Sequence, residues 1–180
     1  MNTVEPIRDK AQIEAMKTEL LKRGYRDYML FVIGLNTGLR VGDILKLKVS
    51  DIRGKSHITL HEEKTKKEKR FKINEPLKAE LEKYTQDMEP EEFLFKSQKG
   101  NFPISTVQAW RILKAAAEKV GLEDIGTHSM RKTFGYFYYQ QYNEISYLQK
   151  IFNHSSPAVT LGYIGITQDR IDETIDNFSL

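Results

Sequence analysis

The sequence contains no cysteine among its 180 residues. This absence excludes disulfide bonds, zinc sites built on thiolates and a cysteine nucleophile. Because structural disulfides are typical of secreted proteins, their absence suits the cytoplasm, and we expect a cytoplasmic protein.

Long apolar segments are also missing. No run approaches the ~18 residues that a membrane-spanning helix needs, so no membrane contact is predicted. The segment 1–10 carries Glu5, Arg8 and Asp9 and has no apolar stretch, so no signal peptide is expected. Hydrophobic residues make up 39% of the chain, which is enough for a core, and the length fits one domain spanning 1–180.

The charge is small in sum but uneven along the chain. The formal net charge is +3, yet the segment 46–72 contains ten basic and four acidic residues, which leaves +6. The segment 169–180 contains four acidic residues and one basic residue. A basic middle followed by an acidic end indicates that the middle contacts a polyanion, and a solvated surface run is the alternative.

The apolar spacing predicts an α+β fold that is mostly helical, with one small antiparallel sheet. Asp9 is a candidate cap for a first helix that Gly24 ends. Two short strands are predicted at Ile58–Leu60 and Phe71–Ile73, joined by the polar hairpin connection 61–70. Further helices are expected at 25–36, 39–47, 76–87, 127–142, 145–152 and 157–163, from Pro103 to Gly121, and in the tail after Gln168.

Four motifs follow one another along the chain, and their order carries more weight than any one of them. They are Thr37-Gly38-Leu39-Arg40, the basic hairpin around Lys64, His128-Ser129-Met130-Arg131, and His154 followed nine residues later by Tyr163. Taken singly, each has an ordinary structural explanation, such as a helix cap, a surface lysine run or a polar loop histidine.

Together these residue types suit phosphoryl transfer. Two arginines can hold one phosphate with forked donors, and histidines supply donors or a proton carrier near neutral pH. A lysine can donate a proton, and a tyrosine hydroxyl can attack phosphorus. No carboxylate cluster that would hold Mg²⁺ stands beside these motifs, so we predict no cofactor and assign charge stabilisation to side chains.

The motifs resemble those of the tyrosine recombinase, or phage integrase, family, and the resemblance covers nearly the whole chain. The segment 37–40 is similar to the family's first arginine box, 128–134 to its second box, and 153–163 to its nucleophile box. The resemblance implies the family's catalytic-domain fold. It also implies a site-specific enzyme that cleaves and religates double-stranded DNA through a 3′-phosphotyrosyl link, without metal or ATP.

The resemblance also implies a role for each motif residue. Arg40 and Arg131 would clamp the scissile phosphate, and His154 would hydrogen-bond one of its oxygens. His128 would assist proton transfer and Tyr163 would be the nucleophile. The general acid is expected to be Lys64, chosen from the Lys-Thr-x-Lys pattern among four hairpin lysines. The expected DNA contacts are Lys66, Lys67, Lys69, Arg70 and Lys132.

The sequence departs from the family's pattern in places. Asp43 stands where a glutamate is more usual, and we expect it to support the arginine with a shorter reach. Phe152-Asn153 replaces the common Leu-Gly before His154. The family's separate N-terminal core-binding domain is not expected within 1–180.

Assembly on DNA is a further expectation. The tail 167–180 carries an apolar stripe of Ile171, Ile175 and Phe178, which packs within its own chain or docks on a neighbouring subunit. The resemblance implies subunit exchange of this tail in a homotetramer on DNA, formed from a chain that is a monomer in free solution. Accessory DNA-binding proteins are possible partners, and the DNA-bound protein would be associated with the nucleoid.

Two other functions remain open from the sequence. A type IB topoisomerase-like enzyme uses the same groups but swivels one strand. A DNA-binding regulator that keeps the fold without catalysis is the other, although it has no need of a nucleophile.

Overall fold

The computed structural model describes residues 4–61 and 68–179. Within these ranges the chain is mostly helical, with one two-stranded sheet and a single 3-10 turn at Val49–Asp51. The helices are α1 (Lys10–Arg23), α2 (Tyr25–Thr37), α3 (Val41–Leu45), α4 (Glu75–Thr85), α5 (Thr106–Lys119), α6 (Thr127–Tyr142), α7 (Ile145–Phe152), α8 (Pro157–Tyr163) and α9 (Ile166–Asp176). The mixed, mainly helical prediction is confirmed.

Local capping chemistry sets the first two helices as expected. The Asp9 carboxylate accepts a hydrogen bond from the Ala11 N–H at 2.8 Å and so satisfies a free donor at the start of α1. Gly24, at a φ of 143°, ends α1. Gly38 ends α2 in the left-handed conformation at a φ of 64°, which glycine adopts without steric cost. This turn points the chain from α2 directly into the segment that carries Arg40.

The sheet pairs β1 (His57–His61) with β2 (Glu68–Lys72) in antiparallel register, with His57 opposite Lys72 and His61 opposite Glu68. The second strand therefore begins earlier than predicted, and Ile73 lies just after it. The Ile73 N–H nevertheless donates to the Ser56 carbonyl at 3.0 Å and continues the ladder.

The predicted start of the helix from Pro103 was wrong by three residues. The helix expected from Pro103 begins at Thr106, because the Ser105 side chain accepts from the Gln108 N–H and fixes the first turn there. Pro103 instead forms an isolated bridge with Lys96. The helix α6 begins at Thr127 as predicted, and Gly126 is its N-cap.

The buried apolar residues form two clusters. The larger one contains residues of every helix from α1 through α6 and of the inner face of the sheet. Its fully buried members include Met16, Phe31, Ile58 and Phe95. The smaller one consists of Leu148, Phe152, Ile164 and Ile166, contributed by α7, the link from α8 to α9 and the first residue of α9. Phe134, Tyr136 and Tyr163 pack against it, so this smaller cluster holds the end of α8 on α6.

The segment before α1 holds the start of α9 in place through Ile7 and Arg8. Arg8 pairs with Asp169 at 2.8 Å and lies over the Tyr136 ring, with its Cζ 5.7 Å from the ring centroid. The Ile7 N–H donates to the Thr133 hydroxyl at 2.8 Å, which holds the same segment on α6. These contacts anchor α9 at its base.

No part of the chain within 4–61 and 68–179 covers the apolar stripe of the tail. Ile171, Ile175 and Phe178 are 49%, 63% and 64% exposed. Packing within the same chain, one of the two alternatives that the sequence left open, is therefore not what the structure shows.

Replacing Gly38 with alanine should destabilise the fold by about 2–5 kcal/mol. The left-handed backbone penalises a Cβ by roughly 1–2 kcal/mol, and crowding a packed core costs roughly 1–3 kcal/mol. The crowding arises because the new Cβ would lie 2.8 Å from the Phe134 Cε1 atom. Urea unfolding measures the loss. Gly42→Ala is the matched control: its Cβ meets open space within α3, so its stability should stay equal or rise slightly. Equal unfolding midpoints for the two variants would contradict the prediction.

Candidate active site

Arg131 lies at the centre of the site, on the second turn of α6, and is only 4% exposed. Its Nη1 donates to the Gly38 carbonyl and its Nη2 to the Phe152 carbonyl at 3.0 Å. The Cζ atom lies 4.2 Å from the centroid of the Phe152 ring. One guanidinium thus donates hydrogen bonds to the C-terminal ends of both α2 and α7.

The charge of Arg131 survives this burial. Its two backbone acceptors are neutral carbonyls and its third partner is the Tyr163 phenol, so these groups do not cancel it. Desolvation lowers the pKa of Arg131 to about 10, which is still far enough above neutrality for the group to stay protonated at pH 7. A buried cation of this kind attracts an anion strongly, because little water screens it.

Arg40 shares a cavity with Arg131. Arg40 is exposed and extended, directly before α3, and the two arginines line an open cavity of about 750 Å³ beneath the hairpin. The other charged or titratable lining groups are Asp43, Lys46, Asp51, His61 and Lys69. Cations therefore outnumber carboxylates in the cavity wall, and the cavity suits a phosphate group.

His128 lies on the other side of the same arginines. It lines a smaller adjoining cavity of about 250 Å³ together with Arg40, Asp43 and Arg131. Burial lowers the pKa of His128, and the positive charges of Arg131, Lys132 and Arg40 lower it further. The imidazole is therefore neutral at pH 7 and able to accept a proton.

His154 is held by its backbone and its ring. Asn153, left-handed at a φ of 57°, ends α7 and turns the chain into His154. The Gln149 carbonyl accepts from the His154 N–H at 3.0 Å, and the His154 Nδ1 lies 3.1 Å from the Thr160 Oγ1. Burial and the charges of Arg131 and Arg40 lower the pKa of His154.

Tyr163 ends α8 and is half-buried. Its ring meets the His154 ring edge-on, with centroids 4.9 Å apart, and the Phe152 ring in the same way at 5.5 Å. Burial raises the pKa of Tyr163, while the charge of Arg131, a hydrogen bond from it and the charge of Arg40 act in the opposite direction. The phenol therefore lies beside the guanidinium of Arg131.

Lys132 takes a position that sequence reasoning missed. It is 7% exposed, and its Nζ lies 5.1 Å from the centroid of the Tyr163 ring. Burial lowers its pKa. A lysine enclosed in this way is poorly placed to reach a DNA phosphate on the surface, and the geometry favours a cation–π contact with Tyr163. Helical spacing gave no signal of this, because the contact depends on how α8 packs on α6.

The remaining predicted DNA contacts divide by position. Lys64, Lys66 and Lys67 lie outside the described residues. Lys69 lines the large cavity. Arg70 is exposed on β2, with its Nη2 3.3 Å from the His57 Nδ1. Asp43 is half-buried and lines both cavities beside Arg40.

The structure thus groups five of the six predicted catalytic residues, with Arg131 at their centre. They are Arg40, His128, Arg131, His154 and Tyr163. Among the described residues, no group of three or more His, Asp or Glu side chains could hold a metal ion. None of the described helices has the length and apolar character needed to cross a bilayer.

The chain is similar to known recombinases along most of its length. The model of the phage integrase family matches residues 8–170. The probable integrase/recombinase YoeC of Bacillus subtilis is 50% identical over 94% of this chain and 93% of its own length. The tyrosine recombinase XerA of Pyrococcus furiosus is 28% identical over 86% of this chain. This chain covers 55% of that XerA.

Solved structures share the fold. The crystal structure of XerA recombinase superposes with a TM-score of 0.77 at 21% identity, covering 97% of this chain and 64% of that one. A lambda integrase dimer bound to a COC′ core site superposes with a TM-score of 0.71 at 18% identity, covering 91% and 60%. The fold of this chain is therefore that of the catalytic domain in these proteins. Given the family model and the half-identical YoeC, the chain belongs to the phage integrase family of tyrosine recombinases.

Proposed function

We propose that this protein is a site-specific DNA recombinase that cleaves and rejoins strands through a covalent link to Tyr163. The observation that carries the proposal is the grouping of a second arginine, two histidines and a phenol around the buried guanidinium of Arg131. A structure with the same fold, the lambda integrase dimer bound to a COC′ core site, supports double-stranded DNA as the partner.

In the proposed cleavage step, the Tyr163 oxygen attacks the scissile phosphorus. Its proton passes to His128, which is neutral and beside Arg131. The bond from phosphorus to the 5′-oxygen breaks, and Lys64 protonates that oxygen as it leaves. The 3′-phosphate stays on Tyr163, so a 5′-hydroxyl of another strand can reverse the step without ATP.

Arg40 and Arg131 supply the charge stabilisation in this proposal. The attacked phosphate gains negative charge on its equatorial oxygens as it becomes five-coordinate. A buried guanidinium and an exposed one can grip these oxygens from two sides. Asp43 supports the pair by its place in the walls of both cavities.

A nicked duplex that traps the cleaved state tests the proposal. The small fragment diffuses away after cleavage, so an active enzyme accumulates as a covalent adduct with DNA. Mass spectrometry of the digested adduct should place the nucleotide on Tyr163. A protein that binds the duplex without forming an adduct would be the regulator. Plasmid relaxation without strand exchange would indicate the topoisomerase-like activity.

Assembly into a homotetramer on DNA belongs to the same proposal. The exposed stripe of Ile171, Ile175 and Phe178 offers an apolar surface that a second subunit can cover. The mass of the complex in solution, measured with two target duplexes and without DNA, tests this step. Binding of a single protein molecule to each duplex at all concentrations would refute the proposed tetramer.

The rate of adduct formation should fall as the buffer is made more acidic than the ordinary histidine pKa of 6.5. His128 must be neutral to accept the tyrosine proton, and its pKa lies below the ordinary value of 6.5. The base is therefore fully competent at pH 7 and is lost only when protonated in more acidic buffer. The measurement is the rate at sub-saturating DNA between pH 5 and 8, because this condition reports the free enzyme.

Two variants separate His128 from other groups that titrate. His128→Asn should lower the rate at every pH and remove this acid limb. His57→Gln is the control, because His57 also has a lowered pKa but lies on β1 and does not line either arginine cavity. An unchanged limb in His128→Asn would assign the proton to another residue.

A further inference from the structure

Thr160 connects the backbone of α8 with the ring of His154. It is fully buried, at 0% exposure, three residues before Tyr163. Its Oγ1 lies 3.2 Å from the Ser156 carbonyl oxygen and 3.1 Å from the His154 Nδ1. One hydroxyl therefore has two polar neighbours.

The hydrogen count decides the direction of these contacts. A hydroxyl has one hydrogen to donate, and the Ser156 carbonyl can only accept. A helical threonine commonly donates to the carbonyl four residues earlier, which here is Ser156. The Thr160 oxygen is then free to accept, and the hydrogen between it and His154 must be on Nδ1.

We propose that Thr160 is a positioning residue that holds neutral His154 in the tautomer with hydrogen on Nδ1. The Nε2 atom then carries a lone pair and no hydrogen. The inference deepens the proposed function, because it specifies what His154 can offer to a phosphate. It does not depend on turnover for its first test.

The rest of the His154 environment leaves Thr160 as the group that orients the ring. Gln149 holds both polar groups of the His154 backbone. Its carbonyl accepts from the His154 N–H, and its side-chain amide donates to the His154 carbonyl at 3.2 Å. The Phe152 and Tyr163 rings meet the imidazole by their edges and faces and provide no polar partner for Nδ1.

This tautomer changes how His154 would bind DNA. A neutral imidazole with hydrogen on Nδ1 can accept at Nε2 but cannot donate there. To hydrogen-bond a phosphate oxygen, Nε2 must first take a proton from solvent, which gives an imidazolium with donors at both nitrogens. The charged and titratable groups around the ring are Arg131 from α6, Arg40 before α3 and the Tyr163 phenol. The two arginines oppose that proton until the negative phosphate offsets them. Phosphate binding is therefore accompanied by uptake of one proton at this histidine.

Nitrogen-15 NMR of the DNA-free protein reads the tautomer directly. The chain has four histidines, so His154→Gln identifies the His154 signals. The wild type at pH 7.5 should show a protonated Nδ1 and an unprotonated Nε2. Thr160→Val has the same shape without the hydroxyl and should shift population to the Nε2–H form, whereas Thr160→Ser should keep the wild-type pattern. A wild-type ring with hydrogen on Nε2 would overturn the inference.

The adduct assay gives the second readout. Thr160→Val should slow adduct formation at saturating DNA by about 10–100-fold, because the imidazolium that binds phosphate loses the acceptor for its Nδ1–H and the ring loses the partner that orients it. Thr160→Ser should restore the rate to within about threefold. Equal rates for valine, serine and wild type would refute the positioning role. If Thr160→Val does not fold, the wild-type spectrum and Thr160→Ser still decide.

The two proposals fail in different ways. A wild-type protein that forms no adduct but shows hydrogen on Nδ1 would remove the proposed function and support the tautomer. An active wild type with hydrogen on Nε2 would support the function and remove the role of Thr160.

Discussion

Tyr163→Phe should form no covalent adduct on the nicked duplex, a loss of about 10⁴-fold or more. Phenylalanine has no oxygen that could bond to phosphorus, so no other group can replace it at this position. The ring itself stays, and with it the edge contacts to Phe152 and His154 and the face beneath Lys132. We therefore expect the packing of α8 to be preserved.

DNA binding separates loss of chemistry from loss of fold in this variant. The affinity of Tyr163→Phe for the intact duplex should stay within about threefold of wild type, which is under 1 kcal/mol. The free energy of unfolding should fall by no more than about 1 kcal/mol, because the hydroxyl contributes one hydrogen bond. Fluorescence anisotropy and urea unfolding measure these two quantities.

Tyr147→Phe is the matched control. Tyr147 lies on α7 and is 54% exposed, and neither arginine cavity includes it. This variant should form the adduct at the wild-type rate. An adduct that persists in Tyr163→Phe and disappears in another tyrosine variant would mean that the nucleophile was assigned to the wrong residue.

Local signals in the sequence were sufficient for most of the helices. Asp9, Gly24 and Gly38 act through their own backbone and neighbouring residues, and Pro157 starts α8 for the same reason. The start of α5 was missed because Pro103 is also a good first helical residue. There, the reciprocal hydrogen bonds of Ser105 and Gln108 outweighed it.

The site was predictable as a set of residue types but not as a set of contacts. The motifs indicated Arg40, Arg131 and Tyr163 because the chemistry needs them. The burial of Lys132 against Tyr163 was not predictable, since it depends on two helices that approach only in the folded chain. The same is true of Arg8 and Asp169, which pair across 161 residues of sequence.

The tail shows a different limit of sequence reasoning. The spacing of Ile171, Ile175 and Phe178 predicts a helix with one apolar side, and the structure has α9 there, with Phe178 two residues beyond its end. The spacing does not say what covers that side. Coverage is a property of whatever surface lies opposite, and in this chain no described residue buries it.

Arg131→Met should lower the rate of adduct formation by about 10²–10³-fold, the usual loss when one preorganised donor to a developing charge is removed. Unlike the tyrosine variant, it should also destabilise the protein by about 2–4 kcal/mol, because two buried carbonyls lose their donors. These are the carbonyls of Gly38 and Phe152, which Arg131 joins across the site. Urea unfolding and the adduct rate at saturating DNA, corrected for the folded fraction, give the two quantities.

Arg40→Met is the comparison that separates the two effects of Arg131. Arg40 is exposed, so its removal should change stability by less than about 0.5 kcal/mol while lowering the rate by a similar factor. Arg131→Lys keeps the charge but one ammonium cannot span both carbonyls, so its stability should lie between Arg131→Met and wild type. If Arg40→Met were as unstable as Arg131→Met, the stability loss could not be assigned to the two carbonyls. If Arg131→Met lost stability but kept its rate, the buried guanidinium would only hold these carbonyls together, and the phosphate clamp would need other donors.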